Sequence, residues 1–189
     1  MASFEFLAII LTGLGLTVSI LYYTTVLRNQ HKTQQMQLES RQTQMFMDLY
    51  QSKFDKNGLE AVFTILNLEW EDEKDYMTKY SGIEGNTEIP AIFESQAGYM
   101  DGLGLLVKKK MIDVDTVYDI AGTRVILLWF KLETLVKAFR DPKWGVPDYA
   151  EHFEYLADEM LRIRKQRGHP IPYTNYLHPS SELFKEYNP

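Results

Sequence analysis

From residue 6 to residue 26 the chain runs for 21 residues without a charged side chain or a proline: Phe-Leu-Ala-Ile-Ile-Leu-Thr-Gly-Leu-Gly-Leu-Thr-Val-Ser-Ile-Leu-Tyr-Tyr-Thr-Thr-Val. At about 1.5 Å per helical residue, such a run covers roughly 30 Å, the thickness of a bilayer's hydrocarbon core. The run predicts a transmembrane helix, with residues 1–27 as a membrane anchor. A cleaved secretory signal fits poorly, because signals open with basic residues, have a shorter apolar core and end in a small-x-small site. Here the first five residues hold no Lys or Arg, and the apolar run continues past any plausible cut. One acid, Glu5, precedes the run, while Arg28, His31, Lys32 and Arg41 follow it. That bias predicts a single-pass protein of the cell membrane with its C-terminal side in the cytoplasm. Tyr22 and Tyr23 fall where amphipathic rings meet the interface.

Ala8, Thr12, Gly15 and Ser19 recur at spacings of four, three and four, so they share one helix face. Faces of small residues let membrane helices pack closely, through a second copy or another membrane protein. Gly and Thr are also simply common in such helices, and that reading stays open.

Beyond the anchor, residues 27–189 suffice for one domain with a real core. Cys is absent, so no disulfide framework, thiolate nucleophile or Cys-ligated metal site is available. Charge is unevenly spread. Residues 1–57 carry five basic against four acidic side chains, residues 58–101 two against ten, and residues 102–189 thirteen against twelve. A strongly acidic central third argues against nucleic acid as a partner, since that needs a positive footprint. No pattern calls for a cofactor.

The remainder reads as all-α. Residues 28–56 form a polar stalk continuing the first helix, with apolar positions Leu38, Met45, Phe46, Leu49, Tyr50 and Phe54 near a 3.6 period. Docking into the domain is preferred over a dimeric stalk, because the heptad Leu38, Met45, Leu49 is short and interrupted by Gln42. Residues 57–168 predict the bundle, of about five to six helices. Asn57 is the expected cap of a helix whose face holds Leu59, Val62, Phe63 and Leu66. Glu71, Asp72, Glu73 and Asp75 load the start of a short helix that ends near Tyr80. A loop follows at residues 81–88, around Gly82, Gly85 and Asn86. Pro90 opens a helix with Ile92, Phe93, Ala97, Met100, Leu103, Gly104 and Val107 inward. Gly98, Gly102 and Gly104 weaken that helix, for which the close approach of a neighbour is a sensible reason.

Asp113 is the expected cap of the most strongly patterned helix, from Val114 to Phe139, which is apolar all round between Val125 and Phe130 and so predicted to be central. Asp141-Pro142 stops it. Pro147 is expected to start the last long helix, with Phe153, Leu156, Ala157, Met160 and Ile163 inward and Gly168 as its stop. Residues 169–189, rich in Pro and Tyr, predict an extended tail lying over the bundle.

Several stretches, namely Tyr-Tyr-Thr-Thr-Val-Leu-Arg-Asn-Gln-His-Lys-Thr at 22–33, Gly-Leu-Gly-Leu-Leu-Val-Lys at 102–108, Ile-Asp-Val-Asp-Thr-Val-Tyr-Asp at 112–119, Trp129, and Phe-Glu-Tyr-Leu-Ala-Asp-Glu at 153–159, resemble a group of archaeal and bacterial proteins with a domain of unknown function. The resemblance implies one N-terminal membrane helix and a helical cytoplasmic domain over nearly the whole chain. It implies no activity and transfers no site residue.

Catalytic candidates are sparse. His152 with Glu151, Glu154, Asp158 and Glu159 is the densest His and carboxylate cluster, but the Glu-x-x-His repeat of carboxylate-bridged bundles is missing, and a rim cluster is the preferred reading. Glu94, Asp101, Asp119, Arg124, Glu133 and Arg140 lie on or beside the most apolar helices, where charges are expected to pair with one another, Glu133 with a neighbouring Arg. The hydrolase, zinc-protease and phosphate-loop motifs do not occur. The basic helix end, Arg162, Arg164, Lys165 and Arg167, is a candidate for contact with anionic lipid. The chain is expected to be a membrane-anchored interaction module, acting as adaptor, accessory subunit or signalling element through a protein partner. The alternative is a membrane-tethered enzyme or metal-binding protein built on the His152 cluster.

Overall fold

The computed structural model describes residues 2–53, 55–80 and 87–187; the side chains at 2, 3, 5–10, 45, 49, 52, 53 and 182 lie outside that description, as do residues 81–86 of the expected loop. Among the described residues there is no strand, and the protein is all-α with seven α-helices and two short 3-10 turns. It divides into two compact units, Met1–Met47 and Asp48–Pro189.

The first unit is a single helix, the greater part of α1 (Ala2–Lys53). Leu11, Leu14, Leu16, Val18, Ile20 and Leu21 all stand exposed. The hydroxyls of Thr17, Ser19, Thr24 and Thr25 donate to the carbonyls four residues earlier, at 2.9, 2.8, 2.7 and 2.8 Å. Among the described residues no helix is long and apolar enough to cross a membrane. The span expected at residues 6–26 is therefore not found there. The side chains of residues 6–10, the most apolar turns of the run, lie outside the description, and from Leu11 onward Thr, Gly, Ser and the Tyr pair dilute what is left. Ala8 of the small-residue face lies outside the described side chains too. Thr12, Gly15 and Ser19 are exposed, and nothing approaches within 4 Å of a Cβ placed on Gly15.

The second unit is built around α4 (Glu88–Lys108), α5 (Val114–Phe139) and α6 (Glu151–Gln166), with α6 packed on both others. The apolar stretch of α5 is its centre. Val125, Ile126, Leu128, Trp129 and Phe130 are all buried, and Trp129 meets Phe153 of α6 edge to face with ring centroids 5.0 Å apart. Asp113 caps α5, its Oδ2 accepting from the Thr116 amide at 2.8 Å and the Thr116 hydroxyl at 2.9 Å. The inward residues expected of α6 are all buried, and Gly168, at φ +68°, ends that helix in the left-handed conformation that glycine adopts without strain.

Three local expectations change. The cap of α2 (Lys56–Asn67) is Asp55, whose Oδ1 accepts from the Gly58 amide at 2.8 Å, so Asn57 sits within the first turn. The buried face of α2 is Gly58, Val62, Ile65 and Leu66, turned toward α4 and α5, which leaves Phe63 61% exposed. Pro147 does not start α6. The chain first makes a 3-10 turn at Pro142–Trp144, capped by Asp141, and the helix begins only at Glu151, after Ala150 takes a left-handed φ of +50°.

The glycines of α4 separate into two kinds. A Cβ on Gly104 would lie 1.9 Å from the backbone oxygen of His152, so the absent side chain is what lets α6 come this close. Among the described residues nothing lies within 4 Å of a Cβ placed on Gly98 or Gly102, so the close neighbour expected there is not found.

The C-terminal segment is extended only in part. It makes a turn at Thr174–Tyr176 and ends in α7 (Glu182–Tyr187). Leu177 and Ser181 are buried. The Ser181 hydroxyl donates to the buried Glu133 carboxylate of α5, Lys165 pairs with Glu186 at 2.6 Å, and the Tyr187 ring lies 6.0 Å from that of Phe130. The segment folds back because Glu133, enclosed in an apolar helix, needs a second donor beside Lys137.

Replacing Gly104 by Ala should cost about 1–3 kcal/mol, since a backbone oxygen cannot move aside without parting two helices. Gly98→Ala should instead stabilise by about 0.5–1 kcal/mol, from helix propensity alone. Urea denaturation of the two variants against wild type reads both signs.

Candidate functional site

Local sequence makes a pocket where α3 (Glu73–Tyr80), the start of α4 and the connection from α5 to α6 converge. In α3, Asp72 caps the helix by accepting from the Asp75 amide at 2.8 Å, and the single buried residue, Tyr76, faces inward. From α4 come Phe93, Glu94 and Pro90; from the end of α5, Phe139; from the connection, Trp144, Val146 and Tyr149, with Met77 completing the lining. The pocket, open on one side where Trp144 and Val146 are exposed, has a volume of about 340 Å³.

Its rings are mutually braced. Phe139 meets Phe93, Trp144 and Tyr149 edge to face at 5.8, 5.7 and 5.8 Å, and Tyr76 lies 5.7 Å from Phe93 and 6.4 Å from Phe139. Edge-to-face contacts of this kind add to area burial and fix ring orientation. Trp144 is further held by its indole N–H, which donates to Glu73 at 2.9 Å, while the other oxygen of Glu73 takes Lys143 at 2.8 Å.

Glu94 carries the site's charge. The Tyr149 hydroxyl donates to its Oε1 at 2.9 Å, and among the described residues no cation lies within ion-pairing distance of it. Burial first, then the Glu94 charge and this hydrogen bond, push the Tyr149 phenol well above its usual range. Burial, with Glu94 and Tyr80 adding to it, pushes Tyr76 up to about 12. Both phenols are therefore neutral donors near neutral pH and not bases. Among the described residues of the lining, the polar groups at hand are the Glu94 carboxylate and these two phenols.

Tyr149 is positioned by the frame behind it. Arg140 donates from Nε to the Tyr149 carbonyl at 2.8 Å and from Nη2 to the Ala150 carbonyl at 3.2 Å, and pairs with Glu154. Asp101 of α4 accepts the His152 and Phe153 amides at 2.8 and 3.1 Å, capping α6 from another helix.

The residues singled out from sequence are not gathered at this pocket. His152 Nδ1 lies 3.1 Å from Glu151 and 3.5 Å from the Lys108 ammonium, whereas Glu154 turns to Arg140 and Glu159 to Arg162. Among the described residues no group of three or more His, Asp or Glu side chains could hold a metal ion. The basic end of α6 is spent on internal contacts: Arg162 on Glu159, Arg164 on the Pro170 carbonyl, Lys165 on Glu186, and Arg167 on Asp119 and Asp115 at 2.5 and 2.7 Å while stacked over Tyr118. Glu133 pairs with Lys137 at 2.8 Å, not with an Arg, because the residue one turn ahead is the one in reach. Of the charges expected to pair, Glu94 alone lines the pocket; Trp144 and Tyr149 were missed. The signal was the recurrence Phe139, Trp144, Tyr149 at intervals of five through a connection read only as a helix stop.

A second, more polar depression lies beside the C-terminal segment. There the Lys131 ammonium sits 4.5 Å from the Trp70 ring centroid and donates to the Leu68 carbonyl, and its pKa is lowered by burial. His178 Nε2 lies 3.2 Å from the Trp70 carbonyl. These contacts fasten the segment to α5 and to the stretch after α2.

Together these features define an all-α protein whose bundle presents a braced aromatic pocket with Glu94 in its lining. The chain belongs to the family of DUF4760, a domain of unknown function, which it matches over residues 7–160. No curated protein and no solved structure matches it.

Two measurements test this geometry. Because both phenols hold their protons more tightly folded than unfolded, stability should fall as pH rises from about 10 toward 12, and Tyr149→Phe should flatten that decline; chemical denaturation at a series of alkaline pH values reads it. Asp101→Ala strips two amides of their acceptor and should cost about 0.5–2 kcal/mol, seen as a lower urea midpoint at unchanged m-value.

Proposed function

We propose that the chain is a single-pass membrane protein in which the first part of α1, within residues 1–27, lies in the bilayer and the bundle, on the cytoplasmic side, binds a protein partner as adaptor, accessory subunit or signalling element. The observation that carries this reading is the surface of the first unit. Leu11, Leu14, Leu16, Val18, Ile20 and Leu21 are each at least 58% exposed around the helix. Soluble proteins rarely expose contiguous apolar surface of this extent, and such patches mark membrane or protein contacts. Satisfaction of the hydroxyls within the helix supports it. In hydrocarbon an unbonded hydroxyl has no water to turn to, and Thr17, Ser19, Thr24 and Thr25 need none. The same bond occurs at Thr64 and Thr78 of the bundle, so it permits burial in lipid without demanding it.

The turns at residues 6–10 complete the 21-residue run, and the basic flank from Arg28 to Arg41 sets the orientation. Thr12, Gly15 and Ser19, with Ala8 before them, offer a close-packing face for the partner's membrane helix or for a second copy.

The test is extraction and crosslinking. Membranes holding the full chain, washed with alkaline carbonate, should keep it in the pellet, and removal of residues 1–27 should release it. Recovery of the full chain in the supernatant overturns the anchor. Gly15→Ile should abolish any crosslink made through the helix face, and an undiminished crosslink overturns the role of that face.

A further inference from the structure

We propose that the aromatic pocket binds a quaternary methylammonium group, of the choline type, carried by a small molecule. Three features of the pocket select this chemistry over others.

Charge comes first. Glu94 opens onto the cavity with Tyr149 as its hydrogen-bond partner and, among the described residues, no ion pair. Glu73 differs, since Lys143 already neutralises it. A site with one uncompensated carboxylate repels anions and attracts a cation.

The second feature is the wall. Tyr76, Phe93, Phe139, Trp144 and Tyr149 bring five rings to a cavity of about 340 Å³. Ring faces carry the negative lobe of the aromatic quadrupole, and they hold cations that shed water easily. Other cations in the bundle sit this way, among them Lys131 over Trp70 at 4.5 Å and Arg167 over Tyr118 at 4.6 Å; at the pocket itself Lys143, paired with Glu73, lies 5.6 Å from the Trp144 ring centroid, so the ligand is taken by the other rings and the remaining side of Trp144.

The third is the scarcity of acceptors. A primary ammonium brings three N–H donors and a guanidinium five, each needing an oxygen. The lining offers the Glu94 carboxylate and little else, since the Glu73 oxygens are taken by Trp144 and Lys143 and the Tyr149 proton is given to Glu94. A quaternary ammonium has no N–H to satisfy, and its methyl groups match an apolar wall. The volume lies at the low end of ligand pockets, roughly 300–1,000 Å³, which suits a ligand or headgroup of a few heavy atoms and excludes a dinucleotide.

This site is independent of the membrane reading, because a detergent titration reports on the pocket whether or not α1 lies in lipid. The full chain, in a sugar-headgroup detergent free of ammonium groups, is titrated calorimetrically with choline chloride and with dimethylbutanol, the neutral alcohol in which carbon replaces nitrogen. Choline should saturate one site and bind at least about tenfold more tightly than the alcohol, which isolates charge from shape. Glu94→Gln should remove most of that difference, and Trp144→Ala should weaken both ligands, with urea midpoints near wild type certifying the fold. Equal affinity for the two ligands, no saturable choline binding, or a Glu94→Gln variant that keeps full preference each overturns the proposal. Repeating the choline titration in phosphatidylcholine and in phosphatidylglycerol vesicles separates the sources: occupancy lost only in phosphatidylcholine assigns the site to a lipid headgroup, and occupancy kept in both assigns it to a free ligand.

Discussion

The contact between α4 and α6 at Gly104 is the constraint on which the rest of the bundle depends. With no Cβ at that position, the backbone of His152 can rest against α4, and three residues before Gly104 the Asp101 carboxylate reaches the first free amides of α6. Steric permission and the capping bond act at adjacent turns, so together they fix both the distance between the helices and the point at which α6 begins. Everything immediately upstream inherits that register. Ala150 is held left-handed, the Arg140 guanidinium clamps the carbonyls of Tyr149 and Ala150, and the Tyr149 phenol arrives beside Glu94. The pocket is thus a product of helix packing and not of a loop free to choose its shape.

This origin explains which parts of the molecule were legible in the residues. The helices of the bundle announce themselves through periodic apolar positions, and the apolar girth of α5 between Val125 and Phe130 marks it as the buried centre because a helix with no polar side has nowhere else to go. Caps were partly legible. Asp113 precedes its helix without a rival, whereas near α2 both Asp55 and Asn57 carry capping side chains and tertiary packing of Val62 and Ile65 picks the earlier one. The three glycines of α4 look alike in a string of letters. What separates Gly104 from Gly98 is a helix fifty residues further on.

The aromatic pocket was the least legible feature, for a related reason. Its rings come from three separate segments, and each has an ordinary local explanation: Phe93 as a core position, Phe139 as the end of a helix, Trp144 as a turn residue. They come to line one cavity only after α3, α4 and the α5–α6 connection meet. Charges showed the opposite pattern. The sequence offered conspicuous clusters around His152 and at the end of α6, and the fold disperses the first among separate partners and pairs Arg162, Lys165 and Arg167 of the second with Glu159, Glu186, Asp115 and Asp119, leaving Arg164 on the Pro170 carbonyl. Density of charge along a chain is weak evidence for a site when the helices that carry it also carry the counter-charges.

The closure of α5 by Ser181 bears on how the molecule comes into being. Glu133 sits in the most apolar helix and receives one of its donors from a residue almost fifty positions later. During vectorial synthesis α5 emerges before that donor does, and until then the carboxylate has Lys137 of its own helix on one oxygen and only water for the other. The segment that carries Ser181 therefore closes this part of the interior, and the interval before it emerges is when α5 is most exposed to capture by a chaperone or by another copy of itself.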